Sequence, residues 1–244
     1  MKATVACLAL MVVGPATAQN SDWSFALSPY VWVPSISTRV ETDWGRLAVD
    51  KSHRDVLDKL DVAFMGVFEA RKGPWGLIAD LFYADLTQSR DTPLGLLFSR
   101  ARMEIQAKAL SGYAAYRVHE DDRVALDLMA GLRVYAVDID VSLSPGLLPG
   151  QRLGMSTNWI DPLLGARARL AITDQWFATA LADLGGFGVG SDLTWQLFAS
   201  LGYQINDRWS VQGGWRYVSI DKPIDGRDVD LDFNGPLLGF TARF

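Results

Sequence analysis

TWQLFASLGYQ, residues 194–204, decides the fold, because its two alternating sets of side chains differ in polarity. The odd positions carry Trp195, Leu197, Ala199, Leu201 and Tyr203, whereas the even positions are mostly polar or small. Side chains of a strand point to opposite faces with period two, so this stretch predicts a strand with one apolar face. From Trp195 to Tyr203 such a strand, tilted by ~40°, rises roughly 20 Å, close to the ~25 Å apolar band of a transmembrane barrel. Trp and Tyr favour the water–lipid boundaries of that band.

The same alternation recurs along the chain and predicts an all-β fold, an antiparallel up-and-down transmembrane β-barrel of about ten strands. The predicted strand cores are 23–35, 61–71, 75–88, 100–118, 123–141, 153–172, 175–189, 193–205, 208–220 and 229–244. The connections at 72–74, 119–122, 173–174 and 206–207 are short and rich in turn-forming residues, which is typical of periplasmic turns. The connections at 36–60, 89–99, 142–152 and 221–228 are longer and would be outer loops, with the short segment 190–192 as the exception.

The N-terminus and the composition agree with this class. Met1–Ala18 is typical of a secretory signal, with Lys2 before a short apolar core and small residues at the cleavage site; a retained N-terminal anchor is the alternative. Residues 19–244 would then form one barrel domain without cysteine, since Cys7 is the only cysteine in the chain. Removing Lys2 changes the formal net charge from −5 to −6, and this acidity argues against a nucleic-acid partner.

A soluble all-β protein of the lipocalin type also alternates, but its apolar face would be the core. Here the aromatic residues lie at the ends of the apolar stripes, and the opposite faces carry Gly, Ser, Gln and mixed charges. Both features favour lipid outside the sheet and a polar interior.

The last strand changes parity, because Val229, Leu231 and Phe233 are odd-numbered whereas Leu238, Phe240 and Phe244 are even-numbered. One extra residue in a strand moves every following side chain to the other face. The sequence therefore predicts a β-bulge near Asn234-Gly235-Pro236.

Motifs at the two ends of the chain carry a family resemblance. The terminal Phe244, with Phe240 and Leu238 on its face, resembles the C-terminal signal that the barrel-assembly machinery reads. YVWVP at 30–34, FEAR at 68–71, GWRY at 214–217 and GPLLGF at 235–240 are similar to recurring segments of an uncharacterised proteobacterial barrel group. The chain thus resembles Gram-negative outer-membrane β-barrel proteins over nearly all of its mature length. The resemblance implies assembly in the outer membrane, among outer-membrane lipid and lipopolysaccharide, and brings no catalytic motif.

If the apolar faces point outward, twelve ionisable residues point into the lumen and form a predicted charge network. The acids are Glu69, Asp80, Glu104, Asp127, Asp161 and Asp183, and the bases are Arg102, Lys108, Arg133, Arg167, Arg169 and Arg216. A ten-stranded barrel is only slightly wider than one that its own side chains fill, and unpaired charges there are costly, so we expect ion pairs across the lumen. Two interpretations stay open, a plugged structural lumen and a narrow polar conduit with a charged constriction.

The segment 36–60 bears on that choice. Residues 36–42 and 46–49 are predicted to pair around 43–45, and Ser52 is predicted to cap a short helix over 54–60, with Asp55 completing the capping box. Val56, Leu57 and Leu60 would give this helix an apolar side. The segment 52–60 either enters the mouth or the lumen of the barrel or lies on the surface as a loop.

Catalytic and metal sites find little support in the sequence. His119 lies in a predicted periplasmic turn, and His53 is near Ser52 and Asp55 in sequence only, which does not define a nucleophile–base pair. Asp138 with Asp140, and Asp228 with Asp230 and Asp232, either hold Ca²⁺ or Mg²⁺ at the outer rim or are solvated strand ends. The glycines of 186–190 do not have the spacing of a phosphate loop. We therefore expect no cofactor and no enzymatic activity.

The predicted function is a structural role or a passive, porin-like channel for small solutes. The alternatives are a surface adhesin or receptor that acts through the outer loops and, with less support, an outer-membrane hydrolase.

Overall fold

The computed structural model describes residues 23–42, 45–91, 98–147, 149–224 and 227–244, so the predicted signal peptide lies outside the described residues. The strands are β1 (Trp23–Trp32), β2 (Ser35–Thr42), β3 (Gly45–Lys51), β4 (Leu60–Lys72), β5 (Trp75–Asp91), β6 (Phe98–Glu120), β7 (Val124–Pro145), β8 (Gln151–Ala171), β9 (Trp176–Gly186), β10 (Leu193–Gln204), β11 (Trp209–Ile224) and β12 (Arg227–Arg243). One short helix, α1 (His53–Leu57), lies between β3 and β4. In the described part of the chain, no helix is both long and apolar enough to cross a membrane.

Ten of these strands close into an antiparallel barrel. β4 to β12 follow one another in chain order, and β1 closes the ring by pairing with both β4 and β12. This arrangement confirms the predicted all-β, up-and-down barrel of ten strands. The short turns lie together at one end, which we call the periplasmic end, and the opposite end is called the outer end.

β2 and β3 form a hairpin that extends the barrel wall at the outer end. β2 continues the register of β1 along β12, from Trp32↔Leu237 to Ser35↔Asn234. β3 pairs with β2 from Ile36↔Lys51 to Thr42↔Gly45, as the sequence predicts for these segments.

The outward face is apolar and carries the predicted aromatic residues. On β10, Leu197 and Leu201 are about half exposed, whereas Thr194 and Gln196 of the other face are buried. Ring pairs of neighbouring strands lie near the two ends of this face. They are Trp75–Tyr116, Trp176–Tyr203 and Trp209–Phe240 near the periplasmic end, and Trp195–Tyr217 near the outer end. Such belts are typical of the two boundaries of a membrane.

The β-bulge predicted near Asn234-Gly235-Pro236 is wrong. β11 and β12 pair without a shift from Trp209↔Ala242 to Ile224↔Arg227. Val229 is buried and Leu231 packs against an apolar cluster inside the barrel, whereas Leu238 and Phe240 of the opposite parity are exposed. The parity of the apolar residues changes because the outer half of the lumen is itself apolar, so no insertion is needed.

Two predicted boundaries also differ. Most of the predicted outer loop 221–228 is strand, since β11 runs to Ile224 and β12 begins at Arg227. The strand predicted over 175–189 ends at Gly186, because Gly186, Phe187 and Gly188 all have positive φ. A Cβ on Gly186 would lie 2.7 Å from the carbonyl oxygen of Ser191, so this tight turn requires glycine.

Candidate functional site

The lumen is crossed at mid-height by a set of buried, mutually bonded side chains, called here the central ion-pair layer. Its four charged members are Asp80, Arg133, Asp183 and Arg216. Arg133 Nη2 donates to Asp183 Oδ2 at 3.0 Å, and both side chains are at most 2 % exposed. The hydroxyl of Tyr113 also donates to Asp183, at 2.9 Å, and accepts from Arg133 at 2.8 Å.

Arg216 forms the second half of the layer. It pairs with Asp80 at 3.0 Å, and its Nη1 donates to the Tyr30 hydroxyl at 2.8 Å. Its Nε and Nη2 donate to the Gln196 carbonyl oxygen, and the Gln196 amide nitrogen in turn donates to Asp183. Gln196 thus joins the two ion pairs into one network that spans the lumen.

A second group of charges, the periplasmic cluster, lies closer to the short turns. Asp127 accepts from Arg71 at 3.0 Å, from Arg167 at 2.8 Å and from Arg117. Glu69 accepts from Arg167 through both carboxylate oxygens, at 2.8 Å each, and from Arg71. Each carboxylate of the cluster therefore faces at least two guanidinium groups, and Arg117 also pairs with Glu120.

The sequence prediction missed Arg71 and Arg117. Arg71 shares its parity on β4 with Glu69, and Arg117 shares its parity on β6 with the buried Tyr113 and Ser111. The alternation therefore carried the signal, and following it to the ends of both strands would have found these two arginines.

Arg102, Glu104 and Lys108 do not belong to the lumen, which corrects the predicted network. They share their parity on β6 with Leu110 and Tyr116, which are exposed on the outward face. Lys108 pairs with Asp138 at 3.5 Å and Arg102 with Glu104 at 2.6 Å, and all four side chains are more than one third exposed. They can face outward because they lie on the outer part of β6 and β7, past the apolar stretch of these strands.

Asp161 and Arg169 face inward without joining either ion-pair group. Asp161 is fully buried and accepts from the backbone N–H and the hydroxyl of Ser191, so it fixes the turn between β9 and β10. Arg169 lies over the Phe177 ring, with its guanidinium carbon 3.6 Å from the ring centroid. The contact between Asp161 and Ser191 is structural, and the contact between Arg169 and Phe177 is a cation–π interaction.

Two cavities lie on opposite sides of the central ion-pair layer. The vestibule, with a volume of about 810 Å³, lies on the periplasmic side and is lined by Arg169, Arg208, Arg243, the periplasmic cluster, and Asp80 and Arg216 of the central layer. The apolar chamber, about 130 Å³, lies on the outer side, and Arg133, Arg216 and Asp80 lie at its floor. Its walls include Trp32, Met65, Phe82, Val218, Ile220 and Phe233.

Helix α1 closes part of the apolar chamber. Ser52 caps the helix as predicted: its hydroxyl accepts from the Asp55 N–H at 3.3 Å, and the Asp55 carboxylate accepts from the Ser52 N–H at 3.0 Å. Val56 is buried against the chamber and Leu57 is about half exposed. The segment therefore contributes Val56, Leu57 and Leu60 to the lining of the chamber, the three residues that were predicted to form its apolar side.

The residues weighed for catalysis and metal binding are engaged in other contacts. His53 Nδ1 lies 2.8 Å from the Val33 carbonyl oxygen, and Ser52 Oγ donates to Asp55. Asp232 accepts from Arg39 and Tyr217, and Asp138 accepts from Ser156 and Lys108; the side chain of Asp228 lies outside the described residues. Within the described ranges, no group of three His, Cys, Asp or Glu side chains is arranged to hold a metal ion.

His119 and Asp121 lie in the periplasmic turn between β6 and β7. The Asp121 carboxylate accepts from the N–H groups of Arg123 and Val124 at 2.8 Å each and lies 2.9 Å from His119 Nε2. The two backbone N–H groups, followed by His119, lower the pKa of Asp121 to about 2. This constellation stabilises a turn.

The closed ring, the outward apolar face and the aromatic belts define an outer-membrane β-barrel protein.

No family model and no curated protein matches the sequence. Solved structures with a similar fold include the outer membrane protease OmpT from Escherichia coli, with 11 % identity, a TM-score of 0.49 and coverage of 94 % of this chain and 99 % of that chain. The attachment invasion locus protein Ail of Yersinia pestis is similar at 12 % identity, with a TM-score of 0.38 and coverage of 91 % and 98 %. Neisserial surface protein A is similar at 10 % identity, with a TM-score of 0.34 and coverage of 92 % and 98 %.

Proposed function

We propose that this protein is a closed barrel with a structural role in the outer membrane, and that it does not conduct small solutes through its lumen. The observation that carries this proposal is the central ion-pair layer. Its arginines are held by carboxylates, hydroxyls and an amide from several strands, so no single rotamer change opens a path. Breaking one buried ion pair costs about 3–5 kcal/mol, so a spontaneous opening would be populated less than about 1 % of the time.

The apolar chamber adds a second barrier above the layer. A hydrated ion that enters from the outer end would have to shed water among Trp32, Phe82 and Val218, which supply no hydrogen-bonding carboxylate or carbonyl. The large vestibule is therefore a cavity that ends at the layer. A porin-like conduit, which the sequence also allows, requires both barriers to move.

Conductance across a planar bilayer tests this proposal. The wild-type protein is expected to give no stable current steps above the lipid baseline. Stable steps that change in Arg216→Ala but not in the matched outward variant Lys108→Ala would locate a conduit at the layer and refute the closed lumen.

We also propose that the protein is not a hydrolase. Support comes from Ser52, whose hydroxyl donates to Asp55 at 2.8 Å, while His53 contacts a backbone carbonyl oxygen. Lipid or peptide hydrolysis by the purified wild type that disappears in His53→Ala would contradict this part of the proposal. The expected surroundings are outer-membrane lipid and lipopolysaccharide, with the barrel-assembly machinery acting during biogenesis on β12 and the Phe244 that follows it.

A further inference from the structure

The barrel wall is interrupted beside the apolar chamber. β1 and β4 pair from Trp23↔Lys72 to Pro29↔Gly66 and then separate. Beyond this point Tyr30–Trp32 pair with β12, and Leu60–Met65 pair with β5. Since β3 pairs only with β2, the pairings in the described ranges leave an opening between the β2–β3 hairpin and the outer part of β4.

Helix α1 lies in this opening and is attached to both of its edges. At its start, His53 contacts the Val33 carbonyl oxygen between β1 and β2. Just after its end, the Lys59 carbonyl oxygen accepts from Thr87 of β5 at 2.9 Å. A helix of five residues cannot supply the continuous hydrogen bonding of a strand pair, so the wall has no strand-to-strand ladder here.

The opening faces lipid. The His53 ring lies edge-on to Trp215, 6.1 Å between centroids, and Trp215 is about half exposed on the outward face. Val62 and Phe64, on the β4 edge, are exposed on the outward side as well. The neighbouring Trp195–Tyr217 pair belongs to the outer aromatic belt, so the opening is level with the outer leaflet.

The chamber behind α1 has the size and polarity of a ligand site. Protein interiors contain few voids larger than a water molecule, and an engineered apolar cavity of about 150 Å³ stays dry and binds benzene. The chamber, at about 130 Å³, has room for several methylene groups but not for a whole lipid. Its charged floor prevents an apolar molecule from passing on to the vestibule.

We propose that the apolar chamber binds the end of a hydrocarbon chain of a bilayer lipid, which enters sideways from the outer leaflet past α1. The lipid is the occupant because the opening faces acyl chains and because the chamber behind it is lined mostly by apolar side chains. The headgroup stays outside the wall at the membrane boundary. This binding role goes beyond the closed lumen and does not depend on the conductance result.

Photolabelling in phosphatidylcholine nanodiscs tests the proposal. The probe is a phosphatidylcholine with an alkyl diazirine near the end of one acyl chain, and labelled residues are identified by mass spectrometry. Labels are expected on inward chamber residues, such as Met65, Phe82 and Val218, in addition to the lipid-facing Val62 and Phe64. In a second arm of the experiment the probe is a decanoic acid that carries a diazirine. A free acid can also reach the chamber through water, so this arm distinguishes the two routes.

Two alanines of β6 provide a matched pair of variants. Ala109 packs against the chamber cluster, whereas Ala114 is exposed on the outward face. Ala109→Trp fills the chamber and is expected to reduce chamber labelling at least five-fold, with labelling of Val62 and Phe64 unchanged. Ala114→Trp should leave both unchanged, and the heat-modifiable gel shift shows that each variant is folded.

Three outcomes would overturn the proposal. They are labels on lipid-facing residues alone, chamber labels that Ala109→Trp does not reduce, and chamber labels from the free acid without any from the phospholipid. The last outcome would mean that the chamber is reached through water and not from the bilayer.

Discussion

Asp183 is the residue whose removal tests the central ion-pair layer most directly. Asp183→Leu leaves Arg133 charged at 2 % exposure, with hydroxyl groups such as those of Ser111 and Tyr113 as its partners. Removing one partner of a buried ion pair costs about 3–5 kcal/mol. We expect Asp183→Leu and Arg133→Leu each to lower the free energy of unfolding by about that amount, a factor of roughly 10²–10⁴ in the unfolding constant.

The double variant separates this effect from a loss of packing. Independent effects would add to about 6–10 kcal/mol, whereas removing both charges leaves no isolated ion in the lumen. We therefore expect the double variant to be no less stable than either single variant, with a coupling energy of about 3 kcal/mol or more. The assay is reversible urea unfolding of the protein in lipid vesicles, followed by tryptophan fluorescence. Single variants that cost less than about 1 kcal/mol, or a double variant at the additive sum, would refute the reasoning.

Three further predictions concern other parts of the barrel. Lys108→Met should change the free energy of unfolding by less than about 1 kcal/mol, because its ion pair with Asp138 is exposed; the same urea assay checks this. Gly131→Ala should sharply reduce the refolding yield, since a Cβ there would lie 2.0 Å from the Gly112 carbonyl oxygen, whereas Gly213→Ala, with nothing within 4 Å, should refold normally in the gel-shift assay. Asp121 has a pKa lowered to about 2, so its stabilisation of the turn is present above the pKa of an unfolded Asp and is lost as the pH falls toward 2. Asp121→Asn should therefore flatten the dependence of the melting temperature on pH between about 4 and 2, and an unchanged slope would contradict the assignment.

The fold could be predicted from the sequence because lipid-facing and lumen-facing residues alternate along each strand of a membrane barrel. The apolar outward faces, the strands that close the ring and the capped helix α1 could be predicted because each depends on the pattern of neighbouring residues in the sequence. The prediction of a β-bulge in the last strand was wrong for a related reason. Alternation separates two faces but does not state which of them points inward: on β12 the inward positions Val229 and Leu231 are apolar, whereas Asp230 and Asp232 occupy the opposite face.

The contacts of the candidate site were harder to predict from the sequence than the fold was. Which residues face inward follows from parity, and strict use of parity would have moved Arg102, Glu104 and Lys108 outside and added Arg71 and Arg117. Which inward residues touch depends on the register between distant strands. Gln196 bridges Arg216 and Asp183, and Arg167 reaches Glu69 across 98 residues of chain, and neither contact leaves a local signal. The wall opening likewise follows from a change of pairing partner that no single strand reveals.

The strands of this barrel differ in length, and the difference shapes the cell surface. β6, β7 and β8 have 23, 22 and 21 residues, whereas β9 and β10 have 11 and 12. Twenty-two residues tilted by ~40° rise about 55 Å, so one side stands roughly 30 Å above a ~25 Å membrane band while the other ends near its edge. In the ring order β8 and β9 lie across from β1 and β4, so the step from tall to short strands falls between β8 and β9. A large molecule that approaches from the outer side would therefore reach β6, β7 and β8 before it reached β9 and β10.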